Sequence, residues 1–337
     1  MNRFFSDAYE MIRQKCPSLL PADASPLARV YENACIGSFF PDFWLEMPLL
    51  GAPHADLHVM YDKADLPDNC TLPGNEFGYQ PLLSWLAAQG DSEAGIAFSI
   101  DVRKDGRISA GSACLLPSGM PETGEAYYTA CGHAEAIPLF RRTLQLLPPG
   151  WTPWYLASMQ NRPGRYCRVD CYISGECTRS YSEDPALFSR HLAQLGYSFD
   201  SSGLCAFVAE LAAPGFPLEI QLDRLADGSM RNTIALSVSF GEIRPAELLR
   251  SFETGSGATL ASLLRSRGMA DERMEQINKT ITGRIFPEKL IAGTLNPPGF
   301  HVKPIFIKTV WENGEPQPAK LYSYVGKLSR SSFPDKY

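Results

Sequence analysis

The chain has 337 residues, 31 of them Lys or Arg and 37 Asp or Glu, for a formal charge of −6. Its mixed signs offer no basic field for nonspecific nucleic-acid binding, and no apolar run approaches the roughly 20 residues that cross a bilayer. Asp7 and Glu10 interrupt the opening stretch, so no secretory segment is read there, and nine cysteines, an odd number, fit reduced thiols in a cytoplasmic protein.

Residues 1–35 predict helices broken at Pro17 and Pro21, with Ser25-Pro26 opening a further helix toward Ala34. Gly37 to Pro53 is aromatic and proline-rich, with Glu46 alone between Leu45 and Met47. Together these suggest an N-terminal segment over residues 1–50. Asp56–Tyr61 alternates as a first strand, with Leu57, Val59 and Tyr61 facing one way and Asp56, His58 and Met60 the other. Residues 62–78 read as loop and Pro81 to Ala88 as helix, a long connection expected to cover something.

Gly95 to Cys114 predicts a hairpin turning at Lys104-Asp-Gly106. Helical spacing from His133 to Leu147 stops at Pro148-Pro149-Gly150. Trp151–Met159 leads through Asn161-Arg-Pro-Gly164 into the strand Arg165–Ile173, and helices follow from Asp184 to Leu195 and from Ser201 to Ala213. Phe216–Phe240 folds back at Ala226–Ser229. Three short helical stretches, Arg244–Ser251, Ala258–Arg267 and Asp271–Ile281, precede a last hairpin, Phe300–Val310 and Pro318–Val325, joined through Glu312-Asn-Gly-Glu315. Residues 51–326 thus form a single α+β domain of antiparallel hairpins alternating with helices, and 327–337 a tail without periodicity.

The strands carry one greasy and one polar face. Cys167, Val169, Cys171 and Ile173 oppose Tyr166, Arg168, Asp170 and Tyr172, while Leu218, Ile220 and Leu222 oppose Glu219, Gln221 and Asp223. Nine or ten such strands make a wide sheet. Closed into a barrel of roughly ten strands it loses its edges and turns the polar faces inward; left as an open antiparallel sheet with helices on one face, it shows them to water.

Closure would bring together His58, Arg168, Asp170, Tyr172, Glu219, Gln221, Asp223, Lys320, Tyr322 and Tyr324. Isolated charges are too costly to bury, so these groups would have to surround water or a charged ligand. Two lysines and an arginine with tyrosine hydroxyls suit a phosphate or diphosphate, and Glu219 or Glu46 could serve as a base. Lys303 and Lys308 fall on opposite faces of a regular strand. Strict alternation puts Lys303 on the greasy side, so counting it as a ligand assumes that Pro304 disturbs the strand.

Other motifs favour plainer readings. Cys167 and Cys171 sit on a greasy face as buried thiols, not metal ligands. His54 and His58 have helical zinc spacing in a stretch that reads as loop and strand. His133-Ala-Glu135 near Cys131 is explained by a helix start. Thr254-Gly-Ser-Gly257 lacks the lysine of a phosphate loop. There is no G-x-S-x-G and no acidic cluster for chelating a magnesium diphosphate.

The succession of antiparallel hairpins separated by outer helices, with tyrosine and basic residues on the inner faces, resembles the aromatic prenyltransferase barrel. Pro318-Ala-Lys320-Leu-Tyr322 is similar to the Lys-x-Tyr strands of that group and occurs once here. The resemblance covers about residues 50–326. It implies a closed ten-stranded barrel and transfer of an isoprenoid group from an allylic diphosphate to an aromatic or peptide acceptor. Arg168, Lys320 and Lys303 would hold the diphosphate, with magnesium as an optional companion. Tyr172, Tyr322 and Tyr324 would screen the allylic cation, and Glu219 or Glu46 would take the proton. The alternative is a non-catalytic protein that binds a peptide or small molecule.

Overall fold

In the computed structural model the described residues are 3–36, 39–63, 66, 78–89, 94–103, 107–116, 122–159, 162, 166–240, 243–286 and 299–328. The turn at Lys104–Gly106, most of the 62–94 connection and the tail beyond Leu328 lie outside them.

Ten strands form a closed ring. In chain order these are β1 (Asp42–Pro48), β2 (Asp56–Asp62), β3 (Gly95–Val102), β4 (Ile108–Leu116), β5 (Trp151–Ser158), β6 (Tyr166–Ile173), β7 (Leu218–Leu225) and β8 (Met230–Ser239). Two more short strands, β9 (Thr282–Ile285) and β11 (Glu315–Pro316), flank β10 (Gly299–Glu312), and β12 (Lys320–Leu328) ends the series. Each of β1 to β7 pairs antiparallel with the next, β12 pairs with β1 and β10, and β10 pairs with β8. That last seam, Phe306↔Ser239 to Glu312↔Thr233, closes the barrel. The open-sheet alternative is therefore set aside, because no unpaired edge remains in the ring.

The oily faces point outward. Phe43 of β1 packs against Phe4, Phe5 and Tyr31 of α1 (Arg3–Lys15) and α2 (Ser25–Ala34), with ring centroids 5.8, 5.1 and 5.1 Å away. Trp311 of β10 meets Phe207 of α8 (Ser202–Ala212) at 5.4 Å. Burying side chains of this size stabilises by about 2 kcal/mol each, so the hydrophobic core is a shell between barrel and helices. No helix among the described residues is long and apolar enough to cross a membrane.

Local chemistry sets the element ends as the sequence reading expects. Gly228 (φ 85°) closes the β7–β8 turn, and Asn313-Gly314 (φ 53° and 85°) supplies the left-handed pair that a tight hairpin needs. Two features differ from that reading. The ring begins before residue 50: Asp42–Pro48 is a full barrel strand, disguised by its prolines and aromatics. Two helices, α4 (Glu122–Ala130) and α6 (Gly175–Glu183), arise where no periodic signal was read; the Ser174 hydroxyl caps the latter by accepting from the Cys177 amide.

Candidate functional site

The inner faces enclose a cavity of about 1220 Å³. One wall comes from β1, β2, β12 and β10. Here Glu46 is buried and accepts hydrogen bonds from Lys320 and the Tyr322 hydroxyl, with His58 Nε2 at 3.1 Å. Burial opposes ionisation of Glu46, but Lys320, Lys308 and His58 outweigh it and hold the carboxyl well below its usual range. His58 Nδ1 continues to Ser99 Oγ at 2.9 Å, and Ser112 Oγ follows at 3.1 Å.

Beside this cluster Tyr322 stacks on Phe306 at 4.1 Å, and Trp44 meets the Phe306 edge at 6.0 Å. Lys308 Nζ sits 4.5 Å from the centre of the Tyr322 ring. Burial pushes the Lys308 ammonium down to about 8, with Glu46 working against that and Lys320, Arg168 and Arg162 adding to it. It makes no ion pair with a described carboxylate.

The opposite wall is built by β5 to β8. Arg168 donates to both oxygens of Asp223, at 2.7 and 2.9 Å, and Arg231 stands 3.7 Å from the same carboxylate. Burial disfavours the Arg168 charge, yet Asp223 more than restores it. Arg162 pairs with Asp101 at 2.9 Å. Further along, Tyr155 and Gln221 bond each other beside Asp170 and Glu219. Burial raises Glu219 to about 7, against a hydrogen bond from Ser239. Trp154 and Tyr172 face each other at 5.0 Å on the cavity lining.

Of the residues singled out from sequence, Glu46, Glu219, Arg168, Lys320, Tyr172 and Tyr322 line this cavity. Tyr324 and Lys303 do not; the Tyr324 hydroxyl donates to Asp42, and Lys303 lies across from Tyr324 in the register. The strand is disturbed where Pro304 suggested. A register shift between Pro304 and Phe306 leaves Lys303 opposite Tyr324 and Lys308 opposite Lys320, so both lysines share the inner face. Lys308 is the one that reaches the cavity. Sequence reasoning passed over Trp44, Phe306 and Arg162, whereas the cluster of Trp151, Trp154 and Tyr155 beside a hairpin reads as the wall of an apolar slot or as packing under a helix, and Trp154 and Tyr155 do line the cavity. Trp44 alternates with Phe43 and Leu45 and is findable once β1 is recognised, whereas Arg162 lies between β5 and β6, where the sequence gives its side chain no direction.

A closed antiparallel barrel of ten strands ringed by helices is the architecture of the aromatic prenyltransferases, and the chain has that fold. It is similar to the crystal structure of the prenyltransferase PriB in its apo form, with a TM-score of 0.54 and 14% identity over 96% of this chain and 95% of that one. The PriB complex with product diphosphate gives a TM-score of 0.52 at 15% identity, covering 95% and 94% of the two chains. The PriB ternary complex with L-tryptophan and dimethylallyl thiolodiphosphate gives 0.51 at 13%, again over 95% and 94%. No family model matches the chain, and no curated protein matches its sequence.

Proposed function

We propose that the protein transfers an isoprenoid group from an allylic diphosphate to an aromatic acceptor inside the barrel. The observation that carries this reading is the joining, on one wall, of a cation that makes no ion pair with a described carboxylate, Lys308, with stacked aromatic faces and an ionised carboxylate, Glu46. The allylic C–O bond breaks with its electron pair leaving on the diphosphate, whose charge Lys308 meets, Arg168 and Lys320 standing nearby. The rings of Tyr322, Phe306 and Trp44 flank the allylic cation. The acceptor ring attacks the cation through carbon, and the proton it then loses passes to Glu46, with His58 next in line at 3.1 Å.

The PriB complexes with product diphosphate and with L-tryptophan plus a thiolodiphosphate analogue support the choice of substrates. Purified protein incubated with dimethylallyl diphosphate and L-tryptophan, with and without magnesium, should yield a prenylated product by mass spectrometry. Glu46→Gln should lower kcat by about a hundredfold or more while diphosphate still protects against thermal unfolding. Absence of both product and protection with any isoprenoid diphosphate sinks the reading.

One observation favours the non-catalytic alternative. Arg168, Arg162 and Lys320 are each already paired with a carboxylate, so much of the positive charge is spent internally. Binding of an aromatic ligand without any response to diphosphate would select that alternative.

A further inference from the structure

The β5–β8 wall holds a charge that the transfer chemistry does not use. Asp170 and Glu219 lie on adjacent strands: Asp170 pairs with Gln221 and Glu219 with Tyr172, which sets the two carboxylates diagonally on the inner face. Both are almost wholly removed from solvent, and neither forms an ion pair with any described Lys, Arg or His. Both oxygens of Asp170 are shut off from solvent without a well-formed hydrogen bond, the Tyr155 hydroxyl and Gln221 amide lying close by and bonded to each other. Arg168, on the same strand as Asp170, is committed to Asp223. This contrasts with Glu46, whose charge is met by Lys320 and His58.

Buried carboxyl groups without a cation remain protonated or await one; burial raises both of these, and the neighbouring Glu219 adds to the rise of Asp170. Glu219 lines the cavity together with Trp154 and Tyr172, whose rings are tilted by 39° at 5.0 Å. A carboxylate pair beside two electron-rich rings is chemistry suited to an ammonium group, which gains a charge-assisted hydrogen bond and cation–π contact together. We propose that Asp170 and Glu219, with Trp154 and Tyr172, form a subsite for a protonated amine carried by the aromatic acceptor. Glu219 contacts the ammonium, and Asp170 stands behind it as the second acidic group. The subsite rests on reading the cavity as an acceptor site, and it narrows the acceptor to an aromatic amine whose ring extends toward the Tyr322–Phe306 wall.

The test is calorimetric titration of the full chain at pH 8 with tryptamine, neutral 3-ethylindole and anionic indole-3-propionate, and separately with dimethylallyl thiolodiphosphate. Tryptamine should bind about tenfold more tightly than 3-ethylindole, with indole-3-propionate weakest. The preference should collapse in both Glu219→Gln and Asp170→Asn while thiolodiphosphate binding persists. Tryptamine binding no tighter than 3-ethylindole, or not at all, overturns the subsite on wild-type protein alone, whatever the variants do. Survival of the preference in both variants overturns it too. Thiolodiphosphate binding without amine preference removes the subsite and leaves the transferase reading standing; amine preference without thiolodiphosphate binding does the reverse.

Discussion

In the proposed reaction Lys308 meets the diphosphate, and its burial would make that contact depend on pH. With the ammonium pushed down to about 8, Lys308 is mostly charged at pH 7 and mostly neutral at pH 9. The groups acting on it are Glu46, which favours the charge, and Lys320, Arg168 and Arg162, which oppose it. Affinity for dimethylallyl thiolodiphosphate should therefore fall about tenfold from pH 7 to pH 9. Lys308→Arg keeps its charge across that range and should flatten the profile; an unchanged slope would assign the titration elsewhere. Arg168 has a different part. An arginine that only held a ligand could be replaced by alanine without unfolding the protein, but the structure shows Arg168 neutralising Asp223, which is 2% exposed. With Arg231 at 3.7 Å the one cation among the described residues left to that carboxylate, Arg168→Ala should cost about 3 kcal/mol in urea unfolding. Adding Asp223→Asn should recover most of the loss. Full stability of the single variant would mean the pair is solvated.

At the scale of the element, β10 decides what the cavity contains. The shift between Pro304 and Phe306 is a change of phase: Lys303 is inward before it, and Phe306 and Lys308 are inward after it. A regular strand of the same composition would turn either Lys303 or Lys308 into the helix layer, which is occupied by Ile307 and Trp311. Removing the extra residue by deleting Ile305 should therefore either put a lysine into the apolar shell or break the seam with β8. The expected result is a loss of cooperative unfolding, or a midpoint lower by several kcal/mol in equivalent stability, read by far-UV circular dichroism in urea. Near wild-type stability in the deletion variant would show that the shift does not maintain the inward phase.

At the scale of the molecule, closure converts a wet sheet face into a lined chamber. Seven residue pairs join β8 to β10, and every strand of the ring then has two neighbours. Such a ring has no fraying edge, so amide hydrogens on β8 and β10 should exchange as slowly as those of β6 and β7. Early exchange confined to β8 and β10 would reveal a barrel that opens along this seam. The pairing of β1 with β12 in turn brings Glu46 and Lys320, 274 positions apart in the chain, into one ion pair.

Alternation along Arg165–Ile173 and Leu218–Ser239, and turn chemistry at Asp227-Gly228 and Asn313-Gly314, settled by themselves which side chains share a face and which strands fold back on each other. Those are local properties, because a strand's period and a turn's backbone angles depend on a handful of adjacent residues. Which of two opposite faces is the inside, whether Lys303 or Lys308 meets the cavity, and which acid neutralises Arg168 were decided only by the tertiary structure. Each depends on strands distant in the chain meeting at a particular register, and one added residue in β10 reverses the direction in which every later side chain of that strand points.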